Sequence, residues 1–487
     1  MRPWVMKAVR ALVIVLGVVA LVLFAGRALD SLRGPPLEPW HTFVPKELSI
    51  AELDRADWSA YLAAEQRLFD SVRTEVTDKL PPRDRVASDR YFAQSPIYPG
   101  RFAQDFNRSF VLEPDGPVRG VAVLLHGLTD SPYSLRHVAR RYAASGFVAL
   151  SIRLPGHGTV PGGLTVAEWP DWLAATRLAM REAKRRAGPN LPIHLVGYSN
   201  GAALALKYSL DALDTPELPR AEKIVVVSPM VGITPFARFA GLAAIPAVLP
   251  PFAKAAWLNL LPEFNPFKYN SFPVKAAQES FRLTQVLQDA IRAHLRDGRL
   301  EGMPPVLAFQ SILDHTVSTR AVIDTLFAAL PTNGSELVLF DVNRNSTFAP
   351  FFSADSDTAL DRLLPRAPRP YRTAVIANIS PATAEAEERL SEAGASGETR
   401  RPLGLSYPRE IYSLSHIALP FPLEDGLYGL RPDPADDFGI QLGTMAPHGE
   451  YGALDVGVDM LLRVSSNPFV PYMLERIGAG LPAAAPR

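Results

Sequence analysis

Apolar and polar positions divide the chain into three regimes. The first is one unbroken apolar run: ALVIVLGVVALVLFAG carries no charge, follows Arg2, Lys7 and Arg10, and stops at Arg27. Such a run behind three cations predicts a membrane-inserting helix. The small-x-small site at its end, Gly26-Arg27-Ala28, carries an arginine, so segment 1–27 is expected to be a retained membrane anchor or signal-anchor instead of a cleaved signal. Its positive flank keeps that end cytoplasmic and sends the rest of the chain across. The expected location is the bacterial inner membrane, with the main body on the extracytoplasmic, periplasmic side.

The second regime fills segment 28–108. There SIAELDRADWSAYLAAEQRLFDSVRTEVTDKL repeats its apolar residues at helical spacing, and Ser49 with Glu52 forms a capping box, which predicts one long amphipathic helix. From about Phe110 the period changes. FVLEP, GVAVLLHG, FVALSIR, PIHLVGYS, KIVVVSP and PVLAFQS read as strands, with helices starting near Tyr133, Val166 and Gly201. This alternation predicts the α/β class, with a central sheet sandwiched between helices.

Two interruptions break the alternation. Segment 232–303, rich in Pro, Phe, Leu and Trp, is far longer than an ordinary connection and is expected to be a helical cap or lid. Segment 343–406 holds one more possible strand, TAVIANIS, followed by PATAEAEERLSEAGASGETRR, whose low complexity predicts a mobile piece. The core is therefore expected over 109–231, 304–342 and 407–487, with GVDMLLRVSSNPFVPYML supplying a terminal helix.

Composition narrows the function classes. With 487 residues and 47% apolar content the chain can bury a large core. Fifty basic residues balance fifty acidic ones, and no basic tract is interleaved with aromatics, so nucleic acid is not an expected partner. The absence of cysteine excludes disulfides, thiolate metal sites, a cysteine nucleophile and an N-terminal lipidated cysteine. No metal and no cofactor are expected, and composition leaves the oligomeric state open.

Chemistry concentrates in IHLVGYSNGAALAL. Gly197, Tyr198, Ser199, Asn200 and Gly201 form a G-x-S-x-G pentapeptide between a strand-like run and an alanine-rich helix-like run. A serine on such a turn stands clear of the sheet, and glycine is needed on both sides because a Cβ would collide with the neighbouring strand or helix. Ser199 is thus the candidate nucleophile. It needs a histidine to take its proton and an acid to hold that histidine.

In the α/β-hydrolases, whose elbow this turn resembles, acid and histidine follow the nucleophile in that order on loops after later strands. Four of the nine histidines come after Ser199: His294, His315, His416 and His448. His294 falls in a helical pattern, and His315 adjoins the best acid. His416, in REIYSLSHIALPF after a short strand-like run, is the expected base, with His448 as its alternative. Asp314 is the expected acid because it lies between the apolar run PVLAFQS and an amphipathic helix starting near Thr316 or Val317; Asp341 is held in reserve. The bland alternatives are a loop histidine capping carbonyls and a helix-capping aspartate.

Negative charge developing on a carbonyl oxygen needs two backbone N–H donors. The positions just after the nucleophile and just after GVAVLLHG make these Asn200 and Leu128. His126 and Gly127 shape the turn that aims the Leu128 amide, and Ser131 reads as an N-cap with Pro132 at the first helical position. His126 and His157 precede Ser199 and are expected to brace loops.

Together, HGLTDSPYSLR, RLPGHGTVPGGLTVAEWPDW, GYSNG, the loop around Asp314 and SLSHIALPF resemble the α/β-hydrolase superfamily. Within it the likeness is to the monoacylglycerol lipase, carboxylesterase and lysophospholipase group, also labelled serine-aminopeptidase-like or S33-like. The resemblance implies an eight-stranded, mostly parallel sheet, a triad of Ser199, Asp314 and His416, and an oxyanion hole from the Leu128 and Asn200 amides. One departure stands out: 102 positions separate Asp314 from His416, far more than the family keeps, so the second insertion is expected to loop out.

The expected activity is hydrolysis of carboxylic esters through an acyl-enzyme, with a monoacylglycerol, a lysophospholipid or a related acyl ester as substrate. The cap run AGLAAIPAVLPPFAKAAWLNLLPEF has too few charges for an ordinary solvated surface and is expected to roof an acyl pocket, dip into a bilayer or, equally, simply pack against the core. Amide hydrolysis of the aminopeptidase type is the runner-up. A non-catalytic envelope scaffold is the competing class.

Overall fold

The protein is described from a computed structural model covering residues 3–233, 244–445, 461–479 and 481. His448, Ala240–Ala243 of the cap run and Gly457–Met460 of the tail lie outside the described residues.

A ten-stranded sheet forms the centre. Its strands are β1 (Phe110–Leu112), β2 (Gly120–Leu125), β3 (Phe147–Ile152), β4 (Ile193–Tyr198), β5 (Lys223–Val227), β8 (Val306–Ser311), β9 (Glu336–Phe340), β10 (Arg372–Asn378), β11 (Glu385–Ser391) and β12 (Thr399–Ser406). They lie in the order β1-β3-β2-β4-β5-β8-β9-β10-β11-β12. A separate short ladder pairs β6 (Trp257–Asn259) with β7 (Phe272–Pro273). From β3 to β10 every pairing is parallel, whereas β1, β11 and β12 are antiparallel to their neighbours.

The continuous apolar runs suit this position, because a parallel strand covered by helices is buried on both faces. β2, β3, β4 and β8 are buried at every residue. Alternate side chains of β2 feed two cores: Val121, Val123 and Leu125 pack on one face, Ala122 and Leu124 on the other. Helices α3 (Arg136–Ala144), α4 (Trp169–Ala187), α5 (Asn200–Asp214), α6 (Val274–Arg296) and α7 (Val470–Gly478) cover the sheet. They follow α1 (Pro3–Arg33) and α2 (Trp58–Val72) in the chain.

Four elements differ from the sequence expectation. The long N-terminal amphipathic helix is broken. Its Ser49/Glu52 capping box starts a short helix at Ile50 that stops at Arg55, and Asp57 caps α2 by accepting from the Ala60 amide at 2.8 Å. The sheet has ten strands instead of eight. Segment 343–406 does not loop out: TAVIANIS becomes β10, and the low-complexity piece becomes the hairpin β11–β12 on the sheet edge. Within segment 232–303, α6 is a core helix, with Leu283, Leu287 and Ile291 buried in the same cluster as Leu206 and Leu210 of α5. Short 3-10 turns and the β6–β7 ladder make up most of the remaining described cap.

Charge networks lash the outlying segments to this core. Arg136 of α3, with no exposed side-chain surface, pairs with buried Asp425 and with Asp436 at 2.6 Å. Tyr133 and His137 also reach Asp425, at 2.8 and 2.9 Å. On the other side Arg153 binds Glu47 at 2.7 Å and Glu65 at 3.2 Å, fixing the N-terminal arm.

Candidate active site

Ser199 sits where β4 turns into α5, in a strained backbone conformation of φ 54° and ψ −112°. Two glycines make that turn possible. A Cβ on Gly201 would lie 2.0 Å from the Leu125 carbonyl oxygen, and one on Gly197 would lie 2.4 Å from the Gly201 carbonyl oxygen. The turn is further held by the Ser199 amide, which donates to Val227 O at 2.9 Å, and by the Met230 amide, which donates to Ser199 O at 3.2 Å.

His416 reaches this serine across 217 positions of chain, its Nε2 2.9 Å from Ser199 Oγ. On the opposite edge its Nδ1 is 2.8 Å from Asp314 Oδ2. Asp314 does not cap the following helix, which begins at Thr319 under Ser318. Its Oδ1 instead accepts the amides of Thr316 and Val317 at 2.8 and 3.0 Å, and Gln310 Nε2 donates to Oδ2 at 3.3 Å. Burial would raise this carboxyl, but the neighbouring His416 and the hydrogen bonds outweigh burial and hold it below its usual range. The three side chains thus form one hydrogen-bonded line from carboxylate to imidazole to hydroxyl.

His416 does not follow a strand, since residues 407–418 are irregular. The turn is positioned by Tyr198, whose hydroxyl donates to His416 O at 3.2 Å, and by the tail, where Ser415 Oγ donates to Arg463 O at 2.6 Å.

The loop after β2 brings Leu128 to the same cavity. Gly127 approaches the Tyr198 ring and Ser199 closely, a Cβ there lying 3.1 Å from the ring, and Thr129 adopts φ 61°. The Leu128 amide makes no hydrogen bond among the described residues, and the Asn200 amide, first in α5, has no acceptor within its own helix. Ser131 and Pro132 do open a helical segment, though as a 3-10 turn ahead of α3 and without a side-chain cap bond from Ser131.

The other candidates are placed elsewhere. His126 Nε2 accepts the Leu154 amide at 3.0 Å, so its Nδ1–H faces Gly127 O at 2.9 Å, and burial holds it well below its usual range. His157 Nδ1 donates to Pro155 O at 3.0 Å, and burial brings its pKa down to about 3. Both brace loops, His126 the one after β2 and His157 the one after β3. His294 is buried on α6 against Ala290 O and Asp214, and His315 is exposed. Asp341 accepts the Val342 amide at 2.8 Å and faces Arg344 at 3.6 Å, away from the imidazole.

A cavity of about 440 Å³ opens beside Ser199 and His416. Met230, Ile233, Phe264, Phe272, Ile417 and Leu442 give it apolar walls. Lys268 and Arg463 also face it, and neither stands out in the sequence because each comes from a segment with no motif. Asp130 lies behind the loop with its carboxyl pushed up to about 6, mainly by burial, with Lys268 pulling the other way. Among the described residues no cluster of His, Asp and Glu could hold a metal ion.

A family model described as "Serine aminopeptidase, S33" matches residues 116–331. Among curated proteins, "Thermostable monoacylglycerol lipase" of Bacillus sp. (strain H-257) is 36% identical over 92 residues, which cover 19% of this chain and 35% of that protein. The chain therefore aligns with about a third of that relative's length. Among solved structures, a chain reported under the metagenome-derived lipolytic enzymes LipS and LipT is 22% identical, with a TM-score of 0.38 over 53% of this chain and 95% of that one. A soluble variant of monoglyceride lipase from Saccharomyces cerevisiae is 13% identical, with a TM-score of 0.37 over 47% and 81%.

Proposed function

We propose that this chain, similar over residues 116–331 to the S33 family model and over 92 residues to a monoacylglycerol lipase, is a serine hydrolase acting on lipid-type carboxylic esters. The observation that carries the reading is the line Asp314–His416–Ser199, at 2.8 and 2.9 Å. His416 Nε2 takes the hydroxyl proton as Ser199 Oγ attacks the ester carbonyl, and Asp314 holds the imidazole in the tautomer that leaves Nε2 free. The oxyanion rests against the Leu128 and Asn200 amides. His416 then hands its proton to the departing alcohol oxygen as the ester C–O bond breaks. Water, deprotonated by His416, attacks the acyl-enzyme and releases the acid and Ser199.

A lipid-type substrate suits the apolar walls and the placement of the cap. The last turns of α1 meet the cap: the Arg27 guanidinium donates to Trp257 O, and Lys254 Nζ donates to Gly34 O at 2.6 Å. Ile245, Val248 and Leu249 of the same cap are exposed, Val248 by 83%. With α1 as an inner-membrane anchor and Arg2, Lys7 and Arg10 cytoplasmic, that apolar surface faces the periplasmic leaflet. An aminopeptidase would need a carboxylate to hold the substrate ammonium, and none lines the cavity among the described residues.

Purified full-length protein tested on p-nitrophenyl esters of graded chain length checks the chemistry. Wild type should cleave them and react with a fluorophosphonate probe, while Ser199→Ala should lose roughly 10⁴-fold or more in kcat and all labelling. Esterase activity retained in Ser199→Ala would reject the mechanism.

A further inference from the structure

Among the described residues the cavity beside Ser199 is lined by two basic side chains, Lys268 and Arg463, and no carboxylate. Acyl transfer by Ser199 uses neither. Lys268 stands on the cap loop, whose backbone is pinned on both sides: the Tyr269 amide donates to Thr129 O at 2.8 Å, and Arg90 Nη1 donates to Asn265 O at 3.1 Å. Its ammonium has no hydrogen bond and no ion pair among the described residues. Burial pushes the group below its usual range, Asp130 opposes that from a distance, and Arg463 adds to it. Arg463 is held at the other functional loop, with Nη2 donating to Thr316 Oγ1 at 2.7 Å. An enclosed ammonium with no carboxylate in direct contact is costly, and an anion entering the cavity relieves that cost.

Given the ester-hydrolase reading, on which this rests, we propose that the cavity takes acyl esters whose alcohol portion carries a negatively charged group, a phosphate or a carboxylate, gripped by Lys268 and Arg463. A phosphate or carboxylate matches both donors, since a guanidinium fork binds either one in two-point fashion and an ammonium binds it as a point charge. A neutral monoacylglycerol leaves Lys268 unanswered.

The test uses full-length protein in neutral detergent and three substrates of one acyl chain: 1-acylglycerol 3-phosphate, 1-acylglycerate and neutral 1-acylglycerol. Wild type should favour the anionic esters in kcat/KM by about tenfold or more, the worth of one charge-assisted hydrogen bond. The two anionic arms show which headgroup is preferred. Lys268→Met should bring the anionic-to-neutral ratio close to one, Lys268→Arg should keep it, and about 0.5 M salt should shrink it in wild type. A wild-type ratio at or below one, or a ratio unchanged in Lys268→Met, overturns the proposal. Binding of the same three lipids to Ser199→Ala, followed by tryptophan fluorescence, decides the anion site without turnover. If wild type cleaves no ester but Ser199→Ala still prefers the anionic lipids, the hydrolase reading fails and the anion site stands.

Discussion

The Tyr198 hydroxyl donates to the backbone carbonyl of His416 at 3.2 Å, so the residue before the proposed nucleophile holds the residue that would activate it. The two rings lie 5.5 Å apart and tilted by 31°. Tyr198→Phe removes this tie while keeping the ring. It should lower kcat by about three- to tenfold and leave KM unchanged, as expected of one lost hydrogen bond that positions the imidazole. Steady-state kinetics on a p-nitrophenyl ester reads the split.

Asp314 orients His416 through Oδ2 while Oδ1 is occupied by two amides. Asp314→Asn keeps the shape but presents an amide that can invert the imidazole's tautomer. A fall in kcat of about 10³–10⁴-fold is expected, with circular dichroism unchanged. Near wild-type turnover in this variant would move the acid role to another carboxylate.

Asp130 gives a stability profile with a defined sign. Its folded pKa, about 6, lies above the ordinary 3.8, so the stability it contributes is full below pH 3.8 and is lost as pH rises through 6. Asp130→Asn cannot ionise and retains an oxygen for the Ser131 amide, which Asp130 Oδ1 accepts at 2.9 Å. The variant should melt higher than wild type at pH 8, by an amount equivalent to roughly 2 kcal/mol, and show no such gain at pH 4. Melting temperatures measured across that range test it.

Asp425 answers three side chains at once, Arg136, His137 and Tyr133, and the first two overcome burial to keep its carboxyl below the usual range. Asp425→Ala leaves a fully buried guanidinium with only the partly exposed Asp436 to answer it and should cost about 3 kcal/mol in chemical denaturation. Asp436→Ala should cost less, because that carboxylate is 24% exposed. Equal losses would show that Arg136 depends on both partners alike.

The parallel core and the line of three side chains are legible in the sequence because their signals are local. Apolar runs mark β2, β4 and β8, and the glycines at 197 and 201 mark a turn that no larger residue fits. The hairpin β11–β12 is not legible, because charge pairing sustains it more than apolar alternation does. Glu388 answers Arg401 at 3.1 Å across the strands and accepts from the Tyr472 hydroxyl at 2.6 Å, so a sequence rich in Glu and Arg reads as solvated chain while its carboxylates are buried. The break at Asp57 shows a capping side chain overriding a helical period that continues past it. Arg463 and Asp425 meet their partners, and Lys268 reaches the cavity, only through the tertiary fold, across separations that carry no motif.

The lashing between α1 and the cap sets where the chain can be shortened. A version that starts at Ala28 or later loses the guanidinium that serves the Trp257 carbonyl, and with it a prop of the cap strand β6. Starting at Arg27 discards the greasy stretch and spares that prop, so the workable cut falls between Gly26 and Arg27.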